Sequence, residues 1–307
     1  MTIHFKVIAS HGIGNQLFQY AFAHYLAQTM PSSEYKISFE NSPIVSKLAA
    51  GKSANFELQK ISNFCSHFDF KTHHVISNYS ILGRFLFRTR LSNLIYNLTL
   101  KKYTYDTLIE TRETSFKFMP FDFPKSSTVF SGFWQHYKYV LTCNTLLFRE
   151  IDTFLNFVCS PDLHLNLSRG EDYIAVHVRR GDFQIRGRDQ ELGLISENSY
   201  LEILSEIQRK NGKLKVITFT DDVKLLESFK FRRQFGEIFS INVLDTLKIM
   251  SKSTHVIAAN STLSWWGGFI ALHNGANVYL PKKYYKSLHT HDAFKFPGFK
   301  EYENDFN

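Results

Sequence analysis

The residues with the clearest chemical potential form one run in the second half of the chain. In order, they are His177, Val178, Arg179, Arg180, Gly181 and Asp182. A guanidinium binds phosphate well because its planar fork forms two parallel charge-assisted hydrogen bonds. Side chains of an extended strand alternate between its faces, so His177 and Arg179 share one side and Arg180 points to the other. We therefore predict that Arg179 binds a diphosphate.

Two simpler interpretations of this run stay open. The two arginines could be solvated side chains at an exposed strand end. Alternatively, residues 180–182 could form an Arg-Gly-Asp adhesion loop. Such a tripeptide often arises by chance, however, and the start of the chain shows no export signal that would suit an adhesion protein.

Two aspartates follow the next predicted strand. Asp221 and Asp222 come directly after Phe219 and Thr220. Carboxylates at such a position can accept hydrogen bonds from a nucleotide base or from ribose hydroxyls, and we predict this role for Asp221. For Asp222 the simpler interpretation is a cap at a helix start. Asp245, at the start of another predicted helix, could likewise be a ligand or a cap.

A strand-to-helix junction supplies a second candidate anion site. Asn260, Ser261 and Thr262 precede an apolar helix that contains Trp265 and Trp266. Free N–H groups at a helix start, together with hydroxyl side chains, bind anions readily. We predict that a phosphate lies here, beside the arginine. The alternative is an ordinary Ser/Thr cap, and the two tryptophans are predicted to be core residues.

The first predicted strand also ends in a glycine-bearing turn, with Gly12, Gly14, Asn15 and Gln16. The turn lacks the third glycine of a dinucleotide fingerprint and the Gly-Lys-Ser/Thr of a P-loop. Its glycines still let a ligand approach the backbone closely. The sequence has neither His-Glu-x-x-His nor two aspartates separated by one residue. We therefore expect cations of the protein to neutralise a bound diphosphate.

Short apolar runs that alternate with helical periodicity must position these loops. In the second half, the pattern predicts strands at 174–178, 215–220, 238–241, 255–259 and 277–280. It predicts helices at 201–211, 223–229, 244–252 and 263–273. This order is typical of a parallel α/β sheet of the Rossmann type.

The first half opens in the same way, with a strand at 3–9 and a helix at 15–29. The helix has one apolar face, formed by Phe18, Ala21, Phe22, Tyr25 and Leu26. Residues from about 40 to 130 show no sustained period. Pro, Gly and polar residues cluster before the strand at 174. We therefore predict two Rossmann-like domains, at 1–165 and 166–307.

The composition fits a globular protein of this size. The chain has 307 residues, of which 44% are hydrophobic and 21% are charged, and this excludes collagen-like, coiled-coil and wholly disordered classes. Three scattered cysteines without a Cys-x-x-Cys pair indicate a reducing compartment. The formal charge of +8 indicates anionic partners. It does not separate nucleic acid, membrane surface and phosphorylated substrates.

We expect a cytoplasmic protein. The chain begins without the features of a signal peptide, and no apolar run approaches the roughly 18 to 20 residues of a membrane span. Residues 71–102 contain basic and apolar side chains and no acidic one. Such a stretch suits peripheral contact with an anionic membrane surface. The alternative is an ordinary amphipathic helix.

Taken together, the motifs resemble the bacterial α-1,2-fucosyltransferase family, which is related to the α-1,6 and protein O-fucosyltransferases. Six segments carry the resemblance in order, at 12–21, 132–139, 177–183, 219–222, 245–251 and 260–267. The third reads HVRRGDF and the last reads NSTLSWWG. Phe183 stands where the family often has Tyr, and residues from about 40 to 125 match no motif of the family.

The resemblance implies a GT-B fold, in which two Rossmann-like domains face a cleft, and inverting transfer from GDP-fucose without a metal or other cofactor. It implies that Arg179 contacts the donor diphosphate, that His177 lies beside the nucleotide, and that Arg180 is one of the donor-binding residues. Asp182 and His177 are the candidates for the base that deprotonates the acceptor hydroxyl. The other donor-binding residues that it implies are Asp221, Asp222, Asp245, Asn260, Ser261, Thr262, Gly12, Gly14 and Asn15.

The implied activity is that of a galactoside 2-α-L-fucosyltransferase. Its acceptor would be a galactose-terminated oligosaccharide or lipid-linked glycan, as in the synthesis of bacterial O-antigen at the inner face of the membrane. No nucleic-acid partner is expected. Two alternatives are kept open: fucosyl transfer in another linkage or to another acceptor, and a non-catalytic protein that binds nucleotide sugars or glycans on the same scaffold.

Overall fold

The computed structural model describes residues 3–29, 35–41, 58, 60–61, 68–72, 106–109, 116–120, 126–158, 170–181, 192–286 and 291–307. The chain divides into two compact units, Met1–Asn144 and Thr145–Asn307. Each unit is built on a parallel β-sheet with helices packed against it. The predicted α/β class is therefore confirmed, and so is the pair of parallel-sheet units that the GT-B prediction requires.

In the described residues of the first unit, five parallel strands form a sheet in the order β3-β2-β1-β5-β4. The strands are Ile3–Ala9 (β1), Tyr35–Asn41 (β2), Asp69–Thr72 (β3), Asp106–Ile109 (β4) and Thr128–Ser131 (β5). Two helices have the bounds Ile13–Thr29 (α1) and Tyr137–Thr142 (α2). The strand and helix predicted at the start of the chain are confirmed.

The helix α1 forms the centre of this unit, because it is buried on almost every side as far as Leu26. All five residues predicted for its apolar face are buried. Phe22 stacks on Trp134 with ring centroids 4.2 Å apart. This contact ties the helix to the loop that follows β5.

In the described residues of the second unit, six parallel strands form a sheet in the order β11-β10-β9-β6-β7-β8. They are Tyr173–Val178 (β6), Lys215–Thr220 (β7), Glu237–Phe239 (β8), His255–Ile257 (β9), Asn277–Pro281 (β10) and Lys300–Tyr302 (β11). The helices are Asn144–Val158 (α3), Glu197–Asn211 (α4), Val223–Glu227 (α5), Val243–Lys252 (α6) and Thr262–His273 (α7). Every strand and helix predicted for this half is present, whereas β11 and α3 were not predicted.

The division between the units falls after the first residue of α3, whereas the sequence predicts the domain boundary beyond this helix, at 165–166. Contacts made by α3 explain the difference. Phe148 stacks on His273 of α7 with ring centroids 4.9 Å apart, and the Lys248 ammonium of α6 donates to the side chain of Asn156. This helix therefore packs with the second unit.

The order of the strands creates a switch point in the second sheet. β6 is the first strand, the next two strands lie on one side of it, and β9 to β11 lie on the other. All six residues of β6 are buried, as expected for a central parallel strand covered on both faces. In such sheets the loops that follow the strands on either side of the switch point form the ligand crevice.

Membrane contact was predicted through residues 71–102. Apart from the strand residues at 71 and 72, that stretch lies outside the described residues. Among the helices that the structure describes, none combines the length and the apolar character needed to cross a bilayer.

Candidate functional site

Three loops leave the second sheet where β6, β7 and β9 end. These strands are parallel, and their register pairs β6 with both β7 and β9. Residues 179–181, 221–222 and 258–262 therefore lie along one side of the sheet, which we call the carboxyl edge. The structure thus places three of the predicted motifs next to the switch point between β6 and β9.

Arg179 and Asp221 form an ion pair at the carboxyl edge. Nη1 of Arg179 lies 2.8 Å from Oδ2 of Asp221, and the two side chains are 26% and 25% exposed. The other carboxylate oxygen, Oδ1, accepts a hydrogen bond of 2.8 Å from the backbone N–H of Arg180. Arg179 is therefore accessible to an anion from solvent, and Asp221 is bound to the loop that carries Arg179.

The guanidinium of Arg180 points into the protein, and only 1% of the residue is exposed. Nη1 donates to the carbonyl of Arg179 at 2.9 Å, and Nη2 donates to that of Ile195 at 2.7 Å. The group also contacts the rings of Phe229 and Tyr200, and burial lowers its pKa. The two arginines thus point in different directions, as strand alternation predicts. We therefore assign Arg180 a structural role in place of the predicted contact with the sugar nucleotide.

His177 is buried at the end of β6, with 3% of its surface exposed. Burial lowers the pKa of its imidazole to about 4, an effect that the charge of Arg179 strengthens and that of Asp221 opposes. The ring is therefore uncharged at neutral pH. Its Nδ1 atom has no hydrogen-bond partner in the described structure. The other candidate base, Asp182, lies outside the described residues.

The helix α7 begins at the carboxyl edge, after β9. Ser261 is its N-cap residue, but the hydroxyl of Ser261 makes no cap hydrogen bond within the described structure. The hydroxyl of Ser264 donates instead to the carbonyls of Ala259 and Ser261, at 3.0 and 3.1 Å. The cap side chain therefore does not cover the first-turn N–H groups. This geometry supports the predicted anion site at Ser261 and Thr262.

Close packing fixes the position of α7 in the second unit. Trp265 and Trp266 have no exposed surface, which confirms that they are core residues. A Cβ atom on Gly267 would lie 2.8 Å from the sulfur of Met250 in α6. A side chain at position 267 would therefore require the Met250 side chain to move.

A short segment at 192–195 connects the loops after β6 and β9, and sequence reasoning missed it. The side-chain amide of Asn260 donates to the carbonyls of Leu192 and Gly193, at 2.9 and 3.1 Å. The same segment supplies the Ile195 carbonyl that accepts from Arg180. Asn260, which is predicted to bind the sugar nucleotide, therefore uses its side-chain amide to hold this segment in place. Backbone carbonyls have no signature in a sequence, so no pattern could have revealed these acceptors.

The remaining predicted carboxylates of this unit lie at helix starts on the carboxyl edge. Asp222 is the N-cap of α5 and accepts from the backbone N–H of Leu225 at 3.1 Å. Asp245 lies in the first turn of α6, where the amide of the cap residue Asn242 donates to its carboxylate. These contacts favour the helix-cap interpretation. Among the described residues, no group of three or more His, Cys, Asp or Glu side chains could hold a metal ion.

The predicted residues Gly12, Gly14 and Asn15 belong to the first unit, at the turn from β1 into α1. His11, which opens the turn, has a φ of 66°, a left-handed conformation that costs a non-glycine residue free energy. The side-chain oxygen of Asn15 accepts from the amide of Gln135 at 2.7 Å. This bond joins the first two of the six motifs within one unit.

Comparison with known proteins gives a family match along almost the whole chain. The profile of glycosyl transferase family 11 matches residues 4–300. Over 159 residues the chain is 30% identical to the alpha-1,2-colitosyltransferase of Escherichia coli, a match that covers 48% of this chain and 52% of the relative. It is 25% identical over 300 residues to the O-antigen biosynthesis glycosyltransferase WbnK of Escherichia coli, covering 90% and 93%. The first match thus spans about half the length of that relative.

Solved structures give more distant likenesses. The Escherichia coli heptosyltransferase WaaC with ADP has a TM-score of 0.45 and 9% identity, with coverage of 98% of this chain and 93% of that one. The α-1,6-fucosyltransferase NodZ soaked with GDP-fucose has a TM-score of 0.44 and 13% identity, with coverage of 88% and 93%.

The structural role of Arg180 predicts a difference between two conservative variants. Lysine cannot reproduce the fork that binds two carbonyls, so Arg180→Lys should lower the free energy of unfolding by about 2 to 4 kcal/mol. Arg179→Lys, at a partly exposed site, should change it by less than about 1 kcal/mol. Urea unfolding followed by tryptophan fluorescence measures both. Equal stability of the two variants would contradict the assignment.

The low pKa of His177 predicts a pH-dependent stability. Between about pH 6.5 and pH 4 the unfolded imidazole binds a proton that the folded one does not, so the folded state loses stability as the pH falls. From pH 7.5 to pH 5 this contribution is about 2 kcal/mol. The free energy of unfolding of His177→Gln should therefore decline less over that interval, by about this amount. Parallel pH profiles for the variant and the wild type would refute the prediction.

Proposed function

The chain belongs to glycosyl transferase family 11, and from this premise we propose that it transfers L-fucose from GDP-fucose to the 2-hydroxyl of a terminal galactoside. One observation carries the proposal. The accessible guanidinium of Arg179 follows β6, and the start of α7 follows β9. These are the two strands that flank the switch point. A fixed cation and the N–H groups at a helix start both bind and stabilise the phosphates of a nucleoside diphosphate leaving group.

The charge developed during transfer determines what these groups do. The bond between the anomeric carbon and the diphosphate oxygen breaks as the acceptor oxygen bonds to that carbon from the opposite face. The β-linked donor thereby becomes an α-linked product. The sugar passes through an oxocarbenium-like state, and negative charge grows on the departing GDP. Arg179 and the start of α7, with its first-turn N–H groups beside the hydroxyls of Ser261 and Thr262, stabilise that charge because they are already in place.

The acceptor hydroxyl must also lose a proton, and two residues are candidates to take it. Burial keeps the imidazole of His177 uncharged at neutral pH, the form that accepts a proton, and its pKa of about 4 also makes it a weak base. Asp182 follows the same loop in the sequence. A general base within hydrogen-bond reach contributes about 10²- to 10⁴-fold in rate, so replacement of the true base should cost that much.

A second donor is favoured by one relative. The alpha-1,2-colitosyltransferase is similar over half of its length, and colitose is fucose without its 3-hydroxyl group. A competition between GDP-fucose and the GDP derivative of colitose would separate these two donors. A site that hydrogen-bonds the 3-hydroxyl discriminates strongly against the deoxy sugar, because its own polar group is left unpaired.

The acceptor is proposed from two sources. The family resemblance indicates a galactoside, and the relative WbnK is an O-antigen biosynthesis glycosyltransferase. A lipid-linked glycan at the inner face of a membrane fits both, and the formal charge of +8 suits an anionic surface. Fucosyl transfer in another linkage and non-catalytic binding of nucleotide sugars are the alternatives. Analysis of the product identifies the linkage, and calorimetric binding of GDP without turnover of any acceptor would indicate the non-catalytic protein.

Transfer activity tests the proposal directly. Incubation with GDP-fucose and lactose should give fucosyllactose with fucose on the 2-hydroxyl of galactose. Arg179→Ala should lower kcat/KM by about 10²- to 10³-fold, because it removes a preorganised donor to the leaving group. Lys210→Ala is a matched control, since it removes an exposed cation of α4. An Arg179→Ala enzyme as active as the control would contradict the proposal.

The neutralisation of the diphosphate by the protein's own cations predicts independence from divalent ions. Activity in excess EDTA should stay within about twofold of the untreated enzyme, because Arg179 and the helix N–H groups take the place of a metal. Rates with and without EDTA, and after addition of Mn²⁺, measure this. Loss of activity in EDTA that Mn²⁺ restores would show that an ion shares the task.

A further inference from the structure

Asp221 occupies an unexpected place in the carboxyl edge. The sequence suggests a contact with the nucleoside, yet both of its carboxylate oxygens are directed at the loop after β6. Oδ2 lies 2.8 Å from Nη1 of Arg179, and Oδ1 accepts at 2.8 Å from the N–H of Arg180. The start of α5 does not depend on this carboxylate, because Asp222 caps that helix.

The loop has a glycine where the carboxylate approaches. A Cβ atom on Gly181 would lie 2.5 Å from Oδ2 of Asp221 and 2.9 Å from its Cγ, well inside van der Waals contact. The atoms in the way are the end of a side chain, so an alanine at 181 would displace the carboxylate and leave the backbone in place. Gly181 thus provides the space in which Asp221 reaches Arg179.

We propose that Asp221 is a positioning residue for the transfer reaction, holding the Arg179 guanidinium where the leaving diphosphate gathers charge, and that Gly181 makes its approach possible. The inference rests on the proposed function. An arginine side chain has many rotamers, and ordering it costs conformational entropy. The ion pair with Asp221 orders the Arg179 side chain before the sugar nucleotide binds. A guanidinium has five N–H donors, and Asp221 Oδ2 lies beside one of its nitrogens, Nη1.

The partial exposure of the Arg179–Asp221 ion pair indicates how much it contributes to the stability of the fold. Both side chains are about a quarter exposed, and ion pairs of this kind add little to stability. The Asn of Asp221→Asn can still accept from the N–H of Arg180, so this variant should fold. It loses the negative charge that orients Arg179. That charge also repels a bound diphosphate, so its removal should affect binding of GDP much less than turnover.

A double-mutant cycle tests whether Asp221 acts through Arg179. Asp221→Asn and Gly181→Ala should each lower kcat by about 10- to 100-fold, with the Kd for GDP within about threefold of the wild type. In an Arg179→Ala background, Asp221→Asn should have less than about a twofold further effect, because its target is gone. Glu206→Gln, which removes the carboxylate of an exposed pair on α4, is the matched control and should behave as the wild type.

The outcomes that overturn the inference are distinct. Multiplicative losses in the Asp221→Asn/Arg179→Ala double variant would show that Asp221 acts independently. A weakened Kd for GDP with unchanged kcat would show a nucleoside contact instead. The midpoint of urea unfolding shows whether each variant folds. If Gly181→Ala is unstable, the kinetic effect of Asp221→Asn alone tests the inference.

Binding of inorganic pyrophosphate separates this inference from the proposed function. If the wild type binds pyrophosphate in an Arg179-dependent manner but transfers no fucose, the proposed function fails and the positioning role is tested on pyrophosphate affinity. In that case Asp221→Asn should leave the affinity within about threefold of the wild type, because loss of the ordering and loss of the repulsion oppose each other, and a weakening of more than about tenfold refutes the positioning role. A wild type that binds neither pyrophosphate nor GDP refutes both proposals.

Discussion

A buried guanidinium organises the carboxyl edge of the second unit. Arg180 carries its charge where water is excluded, and an unpaired cation there would be very costly. Two carbonyl oxygens and two aromatic rings surround it. Because the carbonyls belong to Arg179 and Ile195, satisfying the charge of Arg180 also sets the path of the loop after β6 and of the segment beside it. The contacts of the buried Arg180 therefore determine the position of the accessible Arg179.

Adjacent residues of the same type therefore have opposite tasks. Arg180 stabilises the loop, and Arg179 presents its charge at the surface. Asp221 contacts both, through the backbone of the first and the side chain of the second. The start of α7 completes the edge from the other side of the switch point, and Asn260 fixes the segment between the two loops. The site is thus built from three loops that depend on one another.

A large part of this arrangement follows from the sequence. Periodicity locates the strands and hence the loops, strand alternation separates Arg179 from Arg180, and apolar neighbours place Trp265 and Trp266 in the core. The choice of partner is not contained in the pattern, because a carboxylate such as Asp221 accepts from any nearby donor. The strand β11 consists of a lysine, a glutamate and a tyrosine, so it lacks the apolar run by which the other strands of this sheet are predicted. The side to which α3 belongs depends on contacts such as that of Phe148, which are distant in sequence.

The tight seating of α7 restricts how the second unit can respond to a ligand. Two tryptophans of the helix are fully buried, and a Cβ atom on Gly267 would touch the end of the Met250 side chain, so a shift of the helix along its axis would require the core side chains to repack. The packing of the helix body therefore also holds the amide groups at its start in place. Rearrangement on ligand binding is therefore expected in the side chains and loops around this helix, whose own atoms are held by the core.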